Sequence, residues 1–243
     1  MSEIISNLNG ILRRIESACL DCGRDANEVK LLLATKTVPA DRIIEALRAG
    51  QTLIAENKVQ EIKEKYEELQ SVPHTSHFIG HLQSNKIKDI LKYNITCIQS
   101  LDRLDVAEKL HQRLEYENRK IEVLIQVNTS GEQSKFGTHP DQAVNLVREV
   151  AQFKNIEIKG LMTIGLFSAE TEKVRPCFQL LKSIQQEVLA QNIAGVSMQE
   201  LSMGMSGDLE TAIEEGATIV RVGTAIFGQR IYADSYYWDE TKA

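Results

Sequence analysis

The chain has 243 residues, 42% of them hydrophobic and 26% charged, with a formal net charge of −6. Acidic and basic residues are interspersed without a Lys/Arg block, which argues against nucleic acid and anionic membranes as partners, since both need a basic footprint. No apolar run approaches the roughly 18 residues of a spanning helix, and Glu3, Asn7, Asn9, Arg13, Arg14 and Glu16 interrupt the N-terminus where a signal peptide would be apolar. A cytoplasmic protein is expected.

In chain order, residues 1–22 read as an N-terminal helix, with Ile4, Leu8, Leu12, Ile15 and Cys19 at helical spacing. Eight short apolar or β-branched runs follow, at 29–35, 52–55, 77–79, 95–99, 121–128, 158–164, 200–203 and 218–222. Amphipathic segments at 39–48, 58–69, 84–91, 103–116, 141–153, 172–189 and 208–215 separate them. Strand–helix alternation with short connections implies a parallel sheet. Eight such units close most simply into a (β/α)8 TIM barrel. The expected fold is therefore an α/β single domain over 1–243, with the extra N-terminal helix, a tail at 229–243 and no C-terminal β-domain. An open doubly wound sheet is the alternative, but no G-x-G-x-x-G follows the first strand.

Several features read as bland. Cys19 and Cys22 form a C-x-x-C with no second pair to answer it, so reduced, buried thiols are expected. His77 and His81 bracket the third strand, where four residues span about 13 Å, too far for one ion; no metal is expected. Lys135 reads as a solvated loop-tip charge, and the alternating-sign run 61–68 as a solvent-facing helix surface.

A barrel presents its functional face at the carboxyl ends of its strands. There this sequence places Lys36, Asn57, Gly80 with His81, Ser100, Asn128 with Ser130, Thr163, Ser202, and Arg221 with Gly223 and Thr224. The glycines and hydroxyls after strands seven and eight suit either an anion site built on backbone N–H groups or tight turns. Lys36, at the end of the apolar run LLLAT, is either a solvated surface charge or an amine made nucleophilic by desolvation and by Arg221. A phosphorylated carbonyl compound anchored opposite Lys36 would use both features, and pyridoxal 5′-phosphate (PLP) is the obvious one.

The strings ATKT (34–37), ENKVQE (56–61), HFIGHLQSNK (77–86), NTSG (128–131) with SKFG (134–137), GLMTI (160–164), LSMGMSGD (201–208) and VRVGTAIFG (220–228) resemble the YggS/PROSC family of PLP homeostasis proteins over nearly the whole chain. The resemblance implies a fold type III barrel with PLP held as a Schiff base on Lys36. It also implies phosphate contacts around Ser206, Gly223 and Thr224, Arg221 beside either the phosphate or the pyridine nitrogen, and Asn57, Ser202 and Met203 lining the pocket. The implied role is intracellular vitamin B6 homeostasis and amino/keto acid balance without an established reaction. Apo-enzymes that accept PLP are the implied partners, and a monomer is expected because the dimer-forming β-domain of related racemases has no counterpart. A PLP-dependent amino acid racemase is the alternative; Lys36 would serve one face of the substrate, but Tyr232, Tyr236 and Tyr237 are poor candidates for the other. Two departures stand out: Ile54-Ala55 replaces the family's usual Phe-Gly, and Ser76 stands where tryptophan is frequent.

Overall fold

The computed structural model describes residues 2–228 apart from 167 and 169; the expected tail, with its three tyrosines, lies outside the described residues. Helix α1 (Glu3–Asp21) starts where the Ser2 hydroxyl accepts the Ile5 N–H, a side-chain cap that satisfies one of the helix's orphan donors. Its buried stripe is Ile4, Leu8, Ile11, Ile15, Ala18 and Cys19. Leu12, expected on that stripe, is only partly buried; Ile11 takes the place.

Eight strands follow: β1 (Lys30–Ala34), β2 (Leu53–Glu56), β3 (Thr75–Phe78), β4 (Ile95–Leu101), β5 (Ile121–Gln126), β6 (Ile156–Met162), β7 (Glu200–Ser202) and β8 (Ile219–Val222). They pair in sequence order and all in parallel, and β8 returns to β1 to close a barrel. The helices between them are α2 (Ala40–Arg48), α3 (Val59–Leu69), α4 (Ile87–Ile90), α5 (Leu104–Tyr116), α6 (Pro140–Val150), α7 (Thr171–Ala190) and α8 (Leu209–Glu214), with a short α9 (Thr224–Phe227) after β8. This is the (β/α)8 architecture expected from the strand–helix alternation.

The expected helix at 84–91 is instead one α-turn flanked by 3-10 turns, Ser84–Lys86 and Leu91–Tyr93. Its apolar stripe is real, since Ile87, Ile90 and Leu91 are all buried. Asn94, in the left-handed region, ends the last of these turns, an arrangement asparagine tolerates better than most residues.

Side chains on strands alternate between two cores, as a period of two requires. Leu32, Ala55, Cys97, Leu124, Met162 and Ile219 fill the lumen, while Leu33, Ile54, Ile98, Val123, Leu161 and Val222 pack outward against the helices. Ala55 therefore places its Cβ in the luminal packing. Helix α1 lies across α8 and α9 and touches α2, so it covers the seam where β8 meets β1. No helix among the described residues is long and apolar enough to cross a membrane. If α1 is an integral part of that seam, Leu8→Ala, at a position 1% exposed, costs about 2–4 kcal/mol. Thermal unfolding measures this, and a melting temperature within error of wild type would make α1 an appendage.

Candidate functional site

The carboxyl-end mouth is assembled around a tight turn. After β1 the chain forms a turn over Thr35–Val38, closed by the Val38 N–H donating to the Thr35 carbonyl at 3.0 Å. Thr37 sits at its third position with φ +65°. That position normally takes glycine, and a β-branched residue held there stores about 1–3 kcal/mol of strain. Lys36 is the second residue of the turn and is half-buried.

Its neighbours follow from register. Ala34 pairs with Ala55, so Asn57 stands level with Lys36 on one side. On the other, a Cβ on Gly223 would lie 2.8 Å from the Ala34 carbonyl oxygen; only glycine lets β8 come this close to β1. Gly223 caps α9 without a side-chain hydrogen bond, and Thr224 is exposed beside it. Asn57 Oδ1 is buried and has no hydrogen-bond partner among the described residues. Such acceptors in native proteins usually serve a water or ligand. Gly80 brings β3 against Asn57, since a Cβ there would meet the Asn57 carbonyl oxygen at 1.9 Å.

Arg221 lies beneath this mouth, buried in the lumen. Its guanidinium donates to Ser202 Oγ at 2.9 Å and to the Thr163 carbonyl at 2.8 Å. Burial pushes its pKa down to about 10 and Asp208 opposes the shift, so it remains cationic at neutral pH. Burial in turn pushes the Asp208 carboxyl up, against the Met205 N–H and Arg221. Ser202 Oγ donates to Gln99 Oε1 at 2.7 Å, leaving the Gln99 amide to donate to His77 Nδ1 at 2.8 Å. A polar chain, Arg221–Ser202–Gln99–His77, thus runs down the barrel axis.

The structure places the expected site residues unequally. Lys36, Asn57, Gly223 and Thr224 share the rim. Ser206 is nearby in the β7–α8 turn, where its carbonyl accepts from Arg14 of α1 at 2.9 Å. Ser202 is fully buried and braces Arg221 from below. Met203 departs from expectation: strand alternation turns it outward, fully buried in the core between barrel and helices, so its side chain does not line the mouth. His74, His77 and His81 go to three surroundings. His74 meets the Val72 carbonyl, His77 the lumen, and His81 stacks on Phe136 with ring centroids 3.8 Å apart. Lys135 is not a solvated tip; it is half-buried, pairs with Glu132 and donates to the Gly165 carbonyl at 2.8 Å.

Sequence reasoning missed one cluster. Lys65, assigned to a solvent-facing run, is buried and donates to Glu56 Oε1 at 2.7 Å, to Glu61 Oε2 at 3.1 Å and to the Thr35 carbonyl at 2.9 Å. Burial pushes the Glu56 carboxyl up to about 7, with Lys65 opposing and Glu61 adding. Glu61 and Lys65 stand at i, i+4 on α3, but a helix surface pattern alone does not show that a strand end covers that face.

A cavity of about 1110 Å³ opens at the opposite pole, around the amino ends of the strands. Much of its charged lining is paired within itself: Lys30 with Glu200, and Lys159 with both Glu122 and Glu157. Active sites of this fold sit at the carboxyl face, and the orphan acceptor and the glycine-lined rim are there too.

These features define a PLP-type barrel of the alanine racemase class: the family profile described as "Alanine racemase, N-terminal domain" matches residues 22–231. Within it, the chain belongs to the family of pyridoxal phosphate homeostasis proteins. The relative so named from Aquifex aeolicus is 43% identical over 225 residues, covering 93% of this chain and 97% of its own. A crystal structure of an unknown protein from Bifidobacterium adolescentis superposes with a TM-score of 0.88 at 40% identity, covering 93% and 94% of the two chains. PipY from Synechococcus elongatus, solved with PLP bound, superposes at 0.77 with 32% identity, covering 90% and 100%.

The axial chain makes one prediction. Burial and Lys30 push His77 down to about 4, with Glu200 opposing, while an unfolded histidine titrates near 6.5. The unfolded chain therefore binds the extra proton in that window, so stability is complete above pH 6.5 and falls as pH drops toward 4. His77→Gln should flatten this acid limb by up to about 3 kcal/mol. Denaturant melts at about pH 7.5 and about pH 5 test it; an acid loss unchanged in the variant means that His77 is not the group responsible.

Proposed function

We propose that this protein binds PLP at the carboxyl-end mouth through covalent attachment at Lys36 and acts in PLP homeostasis. The observation that carries the reading is Lys36 itself, half-buried on a hydrogen-bonded turn between the Gly223 cradle and Asn57. The relative with PLP bound, PipY, supports the cofactor.

The residues present fit the group. PLP brings an aldehyde able to condense with an amine, releasing water, and a phosphate dianion that needs donors. Lys36 supplies the amine. Gly223, Thr224 and Ser206 offer backbone N–H and hydroxyl donors at the start of α9 and in the β7–α8 turn, suited to the phosphate. Arg221, fixed by Ser202 and Thr163, adds a buried positive charge that favours an anion and disfavours a protonated amine nearby. Asn57 Oδ1, an acceptor without a donor among the described residues, is open to a donor on a ligand. The half-buried rim leaves the cofactor exchangeable, which suits a carrier that delivers PLP to apo-enzymes as a monomer.

Borohydride reduction of the PLP-loaded protein, followed by peptide mass spectrometry, should find the added mass on Lys36. Lys36→Ala should lose the visible absorption band seen with wild type. An adduct on another lysine, or an undiminished band in the variant, removes Lys36 from its role. Prolonged incubation with L-amino acids separates carrier from racemase: α-hydrogen exchange at ordinary enzymatic turnover, about 1 s⁻¹ or faster, would favour the enzyme.

A further inference from the structure

The peptide groups on both sides of Lys36 are gripped from outside the barrel by side chains with no part in the rim. The Thr35 carbonyl, preceding Lys36, accepts from Lys65 Nζ at 2.9 Å as well as from the Val38 N–H at 3.0 Å. The Thr37 N–H, following Lys36, donates to Glu61 Oε2. That oxygen also accepts from Lys65 at 3.1 Å, so one ammonium and one carboxylate bridge the two grips. Glu56 closes the group from β2: its Oε1 accepts from Lys65 at 2.7 Å and from the Thr35 hydroxyl at 2.6 Å. Thr35, Glu56 and Lys65 are all buried.

We propose that Glu61 and Lys65, backed by Glu56, are positioning residues that hold the turn carrying Lys36 and thereby set where its amine stands in the mouth. Two independent features point to this. A β-branched residue at φ +65° persists only where its surroundings over-determine it, and the Glu61 contact falls on the N–H of that residue. A buried ammonium serving two carboxylates costs desolvation that an apolar contact would avoid; its geometry here gives the Thr35 carbonyl a second donor beside the Val38 N–H and so ties the turn to α3. Strand alternation completes the arrangement. Thr35 faces α3 and Lys36 faces the mouth, so force applied on the helix side is transmitted across a single Cα.

The inference rests on the assignment of Lys36, and its test separates the two. Glu61 is half-buried and its removal leaves Glu56 paired with Lys65, so Glu61→Leu should keep the fold, checked by its melting curve. In the apo-protein, hydrogen exchange at the Thr37 amide should accelerate at least about tenfold in Glu61→Leu. Acetic anhydride labelling of Lys36, quantified by peptide mass spectrometry, should change by a similar factor. In the loaded protein, borohydride-trapped adduct on Lys36 should form about tenfold more slowly. Glu61→Gln, which keeps an acceptor oxygen, should stay within about threefold of wild type in all three assays. Should Glu61→Leu prove unfolded, Lys65→Met with Glu56→Gln removes the grip on the Thr35 carbonyl without leaving Glu56 charged and unpaired, Glu61 keeping the Thr37 N–H, and the labelling and trapping readings apply. Wild-type exchange, labelling and trapping rates in a folded variant overturn the inference. Failure of wild type itself to form an adduct on Lys36 overturns the cofactor assignment instead, and the exchange and labelling arms still judge the clamp.

Discussion

The pairing of β8 with β1 creates the site. Strand order alone makes a sheet; closing it sets Gly223 against the Ala34 carbonyl and puts the two ends of the sequence's strand series on either side of one rim. Lys36 comes from the first strand, and Arg221, Gly223 and Thr224 from the last. Without closure they would lie at opposite edges. The contact tolerates no Cβ, which is why glycine stands there, and α1 covers the same seam from outside through its packing on α8 and α9. Arg14 extends that cover to the β7–α8 turn, binding Glu210 and the Ser206 carbonyl. The N-terminal helix thus buttresses the side of the mouth formed by the β7–α8 turn and the start of α9.

A second constraint is the alternation along each strand. It gives the barrel two interiors with different chemistry. The outward core is almost wholly apolar, whereas the lumen carries an axial polar chain from Arg221 to His77. Each member has a fixed hydrogen-bond direction: the guanidinium donates to Ser202, the hydroxyl to Gln99, and the amide to an unprotonated imidazole nitrogen. The chain suits a cationic arginine at one end and requires a neutral histidine at the other; burial favours the neutral histidine and works against the arginine's charge without removing it at neutral pH. A buried arginine left unpaired would be costly; here neutral groups carry its hydrogen bonds, and the Asp208 carboxylate favours its charged form.

Much of this was legible in the sequence because it depends on local pattern. The eight strands follow from short apolar runs, and the barrel from their alternation with amphipathic segments. The strings around Lys36, Asn57 and Arg221–Thr224 mark strand ends, where a barrel places function. What was not legible depends on partners far apart in sequence or on which way one residue turns. Met203 belongs to a quoted motif, yet one step of alternation sends it away from the mouth. Leu12 and Ile11 exchange places because adjacent positions on a helix differ by about a third of a turn, and only the neighbour decides which is covered. Lys65 sits in a run of alternating charge that suits a solvent face; the loop after β1 folds over it.

Lys65 also shows why charge patterning on α3 misleads. A surface helix and a helix that braces a strand end can carry the same Glu–Lys spacing, since i, i+4 pairs form on either. The difference lies in what the lysine finds beyond its own helix. On a solvated face it finds water, and the pair contributes little. Here it finds the Thr35 carbonyl and a second carboxylate from β2, and the same four-residue spacing becomes the link between a helix and a strained turn. The sequence feature that could have raised this reading is Thr37, a β-branched residue immediately after the lysine and two before Pro39. The chain must turn there, and threonine in that turn requires something outside the turn to hold it.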